Sequence, residues 1–551
     1  MNPLPWRLRR AHLTSSDPWR PLADRFGLSL EAARLAWLRN ADAEELAWRL
    51  DPDLGRATDP FLLPGVAAAA RQLREAIDRK ARICVYGDYD VDGVTATALL
   101  TRVLASLGAQ VDFFIPNRFS DGYGLNQACI QDLVETRRPE LLVSVDCGVR
   151  SAAEVAASRD LGVAWIITDH HALGDTMPDC TVVHPGLDAY PNPWLSGVGV
   201  AFKLAQAVAE LSQGGPAAQP AFLRALLKLV ALGTIADKVP LLGENALLVK
   251  EGLAALGGPN AAGLAALLRM AKVEAPLRAR DVAFRLGPRL NAVGRMGGAE
   301  DAVRLLLSKD PEEAEALAAR LEGLNAQRRA VQEDLAAALP PPGDAPFDLV
   351  VCPGAHKGVL GIVAGQRART YNRPSAVCTV VDGVAQGSAR APEGYDLMRL
   401  LEEAKPFLRT FGGHRQAAGL TFDAGRETFL RRALNLGATA QAGAMGPAVL
   451  AVDGRGLAEV PDAAELDRLE PFGQGFPEPV FQVEGEVDGA FRSFKGVHRF
   501  KLKGVRSEFT VFGEAPPPYA GRVSLAVSPQ DSLRWPRAWR VEGELDLAEA
   551  P

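Results

Sequence analysis

Short, wholly apolar runs recur along the first half of the chain, and three of them end on acids or imidazoles. Ile83-Cys84-Val85-Tyr86 runs into Gly87-Asp88-Tyr89-Asp90-Val91-Asp92-Gly93. Leu141-Leu142-Val143-Ser144-Val145 ends on Asp146, and Val163-Ala164-Trp165-Ile166-Ile167-Thr168 ends on Asp169-His170-His171. Runs of this kind read as buried strands of a parallel sheet. Helical stretches fall around them, at 67–80, 95–107 and 151–161. That alternation predicts a sheet of βαβ units covered by helices, from about residue 64 to 260.

Elsewhere the pattern changes. The first segment is rich in Trp, Arg and Leu and is expected to form a small helical cap on the next domain. Residues 312–339 read as one long Ala/Leu/Glu/Arg helix, which Pro340-Pro341-Pro342-Gly343 stops. Strand-like runs resume at 347–351 and 375–381 and predict a second α/β domain. Beyond Pro447, short alternating runs separated by turns predict a small β-barrel. The expected order is a cap (1–50), a parallel-sheet domain (51–270), a helical connector (271–345), a second α/β domain (346–440) and a barrel (441–551).

Composition narrows the classes. A chain of 551 residues exceeds one hydrophobic core, so several domains are expected. It is 48% hydrophobic and 23% charged, without an apolar run long enough to span a bilayer and without a secretory signal core. Six scattered cysteines, none in a CxxC pair, argue against a zinc knuckle or a disulfide framework and suit a reducing cytoplasm. A net charge of −6 excludes a bulk polycation, so any nucleic-acid contact must come from a local patch.

Parallel strands bring their carboxyl ends to one edge, where open α/β sheets bind ligands. Hard carboxylate oxygens plus imidazole suit Mn²⁺, Mg²⁺ or Zn²⁺, and clustered acids favour two ions and hydrolysis. In extended backbone, Asp88, Asp90 and Asp92 share one side, and their repulsion is costly without a cation. An EF-hand loop would need glutamate at its twelfth position, which here is Leu99. A solvated acidic turn is the plain alternative, as is a helix N-cap for Asp146. Of seven histidines, two stand side by side after a buried strand. Adjacent rings point apart, so at most one shares an ion with Asp169, and the other can face a substrate. Asp237 joins only if its helix packs back onto the sheet edge.

Several Gly/Arg/His clusters could hold phosphates. They are Arg118 before Asp121-Gly122, Pro288-Arg289-Leu290-Asn291 before Gly294-Arg295, His356-Lys357-Gly358, Gly387-Ser388-Ala389-Arg390, and Gly412-Gly413-His414. Five such clusters beside a metal site point to an anionic substrate larger than one phosphate. In the barrel, Phe491-Arg492-Ser493-Phe494-Lys495 and His498-Arg499-Phe500 interleave basic and aromatic residues. That suits stacking on single strands, and equally an amphipathic strand with solvated cations.

Together these motifs resemble the RecJ family of single-strand-specific 5′→3′ exonucleases, within the DHH phosphoesterase superfamily. The resemblance runs through 86–93, 115–125, 145–148, 169–171, 195–204, 232–240, 286–296, 358–364, 387–390, 411–419 and 469–481. It implies a DHH catalytic domain, a connecting helix, a DHHA1 domain and an OB fold around a groove. It implies two Mn²⁺ or Mg²⁺ ions held by Asp90, Asp92, Asp146, His170 and Asp237, with Asp88 beside them. His171 would assist at the scissile phosphate, with Asp169 and Arg289 also catalytic. Arg118, Ser388 and Arg390 would bind a 5′-terminal phosphate, Arg289 and His414 would flank the cleft, and Arg492, Lys495 and Arg499 would serve the barrel. The implied setting is DNA recombination and repair in the cytoplasm, as a monomer acting on single-stranded DNA beside a single-strand-binding protein and a helicase. Two positions depart from the family pattern: Tyr86 replaces a histidine seen in smaller members, and Phe476 an asparagine. A phosphodiesterase for short oligonucleotides or cyclic dinucleotides, and a non-catalytic DNA-binding scaffold, are the competing readings.

Overall fold

The computed structural model describes residues 6–9, 18–118, 121–122, 124–212, 219–443, 450–494, 496–513, 515–517, 519, 521–529 and 538–545. The apolar runs form a five-stranded, all-parallel sheet. Its strands and helices are β1 (Arg82–Tyr86), α1 (Val91–Ser106), β2 (Gln110–Phe114), β3 (Leu141–Val145), β4 (Ala164–Thr168), β5 (Thr181–Val183), α2 (Gly197–Leu211), α3 (Pro220–Asp237) and α4 (Glu244–Leu256). Strand order is β2-β1-β3-β4-β5. The chain leaves β1 toward β2 and returns to place β3 on the other side of β1, so the switch point lies between β1 and β3. One sheet face packs Val85, Val143 and Ile166 into a core with Leu100 and Val103 of α1 and Leu229 of α3. The other packs Tyr86, Leu142 and Trp165 against Ile130 and Leu133.

The helical segment that follows is not a free rod. It includes α5 (Gly287–Met296) and α6 (Pro311–Ala338). Ala314, Ala318 and Leu321 of α6 belong to the parallel-sheet core, whereas Leu335 packs with Val359 and Leu360 of the next domain. That domain holds β6 (Asp348–Val351), α7 (Lys357–Tyr371), β7 (Ser375–Val381), β8 (Val384–Arg390), β9 (Thr410–His414) and β10 (Ala417–Asp423), in the order β9-β10-β8-β7-β6. Only the β6–β7 pairing is parallel.

The C-terminal strands β11 (Phe481–Phe494), β12 (Val497–Leu502), β13 (Glu508–Phe512), β14 (Arg522–Pro529) and β15 (Ala538–Glu544) close into a barrel, because β11 pairs with both β12 and β14. The cap helices Arg20–Phe26, Leu30–Leu38 and Ala43–Leu50 share a core with Leu466, Leu469, Phe472 and Phe476, more than 400 residues away in the chain. Phe476 is fully buried there, with the Arg49 guanidinium 3.7 Å from its ring centroid. Among the described residues, no helix is long and apolar enough to cross a membrane.

Candidate metal centre and nucleic-acid cleft

The switch point gathers the acids. Asp90 caps α1, its carboxylate accepting from the Asp92 and Gly93 N–H groups at 2.9 and 3.1 Å. Asp92, in the first turn of α1, is held by the Gly197 and Val198 N–H groups of α2, at 2.6 and 2.9 Å. Asp146 follows β3 with φ +63°, a strained conformation for a side chain larger than glycine. A Cβ at Gly197 would lie 2.5 Å from the Asp146 carboxylate, so only glycine lets α2 approach this closely. α3 packs along α1 and brings its last residue, Asp237, to the same edge. Three ligand sets result, each with donor atoms within 4.8 Å: Asp88, Asp90 and Asp146; Asp92, His170 and Asp237; and Asp146, His170 and His171.

These residues fit divalent ions. Burial, then Asp90, pushes the Asp88 carboxyl up, while burial followed by neighbouring acids does the same to Asp92 and Asp146. Burial lowers His170 to about 3, so its ring is neutral. His170 donates to the Leu195 backbone through one nitrogen, and Nε2 turns a lone pair toward Asp146 Oδ1 at 3.1 Å. Among the described residues, neither atom has a hydrogen-bond partner, and nor does Asp88 Oδ1. Buried lone pairs that face one another are what a cation resolves.

His171 and Asp169 behave differently. Asp169 accepts from His171 Nδ1 at 2.7 Å, from the His170 and His171 N–H groups, and from Val149 N–H. Burial opposes the charged ring of His171, but Asp169, followed by Asp237 and Asp90, raises it to about 9. Asp169 therefore orients an imidazolium and belongs to none of the three ligand sets.

Basic residues line the facing wall. A cavity of about 490 Å³ is lined by Asp88, Asp90, Arg118, Lys238, Asn291, Arg295 and Arg328. It adjoins one of about 650 Å³ lined by Arg118, Arg150, His171, Ser388, Arg390 and His414, and Tyr89 and Arg118 border both. Burial, then Arg118, Arg390 and Arg328, depresses Arg295 to about 10.

The structure thus brings together Asp88, Asp90, Asp92, Asp146, His170 and Asp237, with Arg118, Ser388, Arg390, His171 and His414 beside them. Arg289 is not among the residues lining the cleft. Its guanidinium lies 2.5 Å from Glu322 of α6 and donates to the Arg285 carbonyl. Arg295 faces the cavity instead, six residues further along the same helix. Arg328 of α6 also lines the cavity, and no sequence motif had marked it. It donates to Asn325, which is buried one turn earlier on the same helix, at 2.8 Å. On the barrel, Arg492 and Arg499 pair with Glu508, and Lys495 lies outside the described residues. Tyr86 packs on the sheet face away from Val85, its ring 5.3 Å from Phe114, and Asp88 lies near Asp90 and Asp146.

Comparisons with known proteins agree with this architecture. Residues 82–234 match the DHH family, N-terminal domain, and residues 348–436 match the DHHA1 domain. The single-stranded-DNA-specific exonuclease RecJ of Bacillus subtilis is 39% identical over 78% of this chain, which spans 55% of that protein. RecJ of Thermus thermophilus is 38% identical over 91% of this chain and 72% of its own length. The crystal structure of Thermus thermophilus RecJ in complex with Mn²⁺ superposes with a TM-score of 0.80 at 32% identity, over 99% of this chain and 80% of that one. By identity over more than two thirds of the Thermus relative, the chain belongs to the RecJ family of DHH-domain proteins.

Proposed function

We propose that the chain is a divalent-metal-dependent exonuclease that removes nucleotides from the 5′ end of single-stranded DNA. The observation that carries this is the acid edge, with its partnerless Asp88, Asp146 and His170 atoms, facing a cavity walled by arginines. Asp88, Asp90 and Asp146 would hold one ion, and Asp92, His170 and Asp237 another. Bound there, Mn²⁺ or Mg²⁺ would offset charge developing on a phosphate and acidify an attacking water. The chain's own groups do the rest. Arg118, Ser388 and Arg390 bind a terminal phosphate, Arg295 and Arg328 its neighbours, and the strand is held so that cleavage starts at that end. His171, oriented by its bond to Asp169, faces the reacting phosphate or its departing oxygen and stabilises charge there.

The same reading extends to partners. A cleft for single strands needs them supplied, so a helicase and a single-strand-binding protein are the proposed companions of a monomeric, cytoplasmic enzyme. The test is digestion of single-stranded DNA labelled at either end, with Mn²⁺. Shortening from the 5′ end alone is expected. Shortening from the 3′ end, or persistence of activity after chelation, would overturn the reading.

A further inference from the structure

We infer that Asn245 is a positioning residue chiefly for one ion site, the set formed by Asp92, His170 and Asp237. The inference rests on the metal-centre reading above and assigns a role that the sequence motifs left unmarked.

Asn245 lies in the first turn of α4, 1% exposed. Its amide is fully used. Nδ2 donates to the Trp194 carbonyl at 2.7 Å and to the Pro240 carbonyl at 3.0 Å, and Oδ1 accepts from Asn192 Nδ2 at 3.0 Å. The two carbonyls belong to different segments. Trp194 adjoins Leu195, whose backbone bonds His170, and Gly197 and Val198, whose N–H groups grip Asp92. Pro240 ends the short turn after Asp237, in which Lys238 takes φ +65°. One side chain therefore joins the support of Asp92 and His170 to the support of Asp237.

The base of this tie is itself fixed. α4 packs along α3, and the neighbouring Glu244 pairs at 2.6 Å with Lys203 of α2, both buried. A hydrogen bond between Ser196 Oγ and Thr234 Oγ1, 2.9 Å apart, couples the same two segments a second time. Among the described residues, Asp88 and Asp90, at the end of β1, accept no hydrogen bond from either segment that Asn245 joins, whereas Asp146, at the end of β3, packs against Gly197 of one of them. Removing the amide would orphan two part-buried carbonyls and let the segments part, which displaces Asp92, His170 and Asp237 most and Asp88 and Asp90 least. Outer partners of metal ligands typically change affinity by about 10–100-fold.

The experiment is Mn²⁺ titration of the whole chain without DNA, read by electron paramagnetic resonance of free Mn²⁺, with melting of the metal-free protein alongside. The wild type is expected to take up two ions. Asn245→Ala should weaken one ion about 10–100-fold and the other far less, and Asp92→Asn should weaken that same first ion. Asn245→Ser, which retains one donor, should fall between. On single-stranded DNA the alanine variant should lose kcat, recover it with excess Mn²⁺, and keep its KM. Two ions at wild-type affinity in Asn245→Ala would overturn the inference. So would equal weakening of both ions together with a large drop in metal-free melting temperature in both Asn245 variants. A wild type that takes up no Mn²⁺ would instead sink the metal-centre reading itself.

Discussion

Two kinds of buried charge coexist in this molecule, and the difference separates site from scaffold. Arg39 with Asp453, Lys203 with Glu244, and Arg367 with Asp348 are buried pairs of opposite sign at 2.6–2.8 Å. Each is complete without help. The cleft holds the reverse arrangement. Asp88, Asp92 and Asp146 sit together on one wall, and Arg118, Arg295 and Arg390 share the other. Like charges held from water are costly, and a fold keeps them where a ligand of opposite sign completes them. Cations would complete the first wall and phosphates the second.

The largest effect follows from breaking the acid wall. Asp146 belongs to two of the three ligand sets. Asp146→Asn is expected to cost several kcal/mol of transition-state stabilisation, about a thousandfold in kcat/KM on single-stranded DNA. The metal-free protein should melt higher, because one buried like charge is gone. A paired site should respond oppositely. Asp453→Asn leaves Arg39 buried without its partner, so it should destabilise by roughly 3–5 kcal/mol and leave the chemistry intact. Equal losses of stability in the two variants, followed by calorimetry, would erase the distinction.

The arginine wall should respond more mildly. Arg390 is depressed by burial and then by Arg118, and it lines the larger cavity with Ser388. A charged hydrogen bond contributes about 1.5–3 kcal/mol, so Arg390→Ala should lower kcat/KM on 5′-phosphorylated strands roughly 10–100-fold. Strands with a 5′ hydroxyl should lose much less. The same loss on both substrates would place Arg390 away from the terminal phosphate.

Legibility in the sequence followed the locality of each feature. The acids stood out because strand, turn and ligand are contiguous at 82–92, 141–146 and 164–171, and a parallel sheet must align such ends. Strand alternation also put Phe500 and Leu502 inside the barrel and Arg499 and Lys501 outside. The cleft arginines were harder to read. Arg289 and Arg295 lie six residues apart on one helix, which turns them to different faces, and the motif alone does not say which face meets the cavity. Arg328 is carried by a long Ala/Leu/Glu/Arg helix with no single apolar face, whose pattern reads as a connector. The cap's partner lies across more than 400 residues, beyond any local pattern.

A third buried acid tests whether burial alone explains the metal centre. Burial raises Glu470 to about 7, while its carboxylate accepts from Phe472 N–H at 2.6 Å. It lies at the cap junction, far along the chain from every ligand set. A carboxyl whose folded pKa is raised binds its proton to higher pH than the unfolded chain does. Stability therefore falls as pH rises from the unfolded value near 4.5 to about 7, and stays reduced above. Glu470→Gln removes that penalty. Its gain over wild type should be near zero below pH 4.5 and on the order of 2 kcal/mol at pH 8. Mn²⁺ should leave this difference untouched. A gain that is flat with pH in denaturant titrations would show that Glu470 is not buried as a proton-binding group.

The smallest effect lies on the barrel, where exposed charges are already paired. Arg492 and Arg499 both reach Glu508, with side chains 71% and 49% exposed. Such surface pairs contribute about 0–1 kcal/mol and are screened by salt. Glu508 therefore competes with any phosphate for the same two guanidinium groups. Glu508→Gln frees them and should tighten binding of long single-stranded DNA by up to about fivefold at low salt. Fluorescence anisotropy across a salt series should show the gain fading as salt rises, with a steeper dependence on salt than the wild type because more counterions are released on binding. The rate on strands too short to reach the barrel should not change. If affinity for long strands is equally unmoved at every salt concentration, Arg492 and Arg499 lie off the strand's path, and the pairing with Glu508 makes them part of the scaffold.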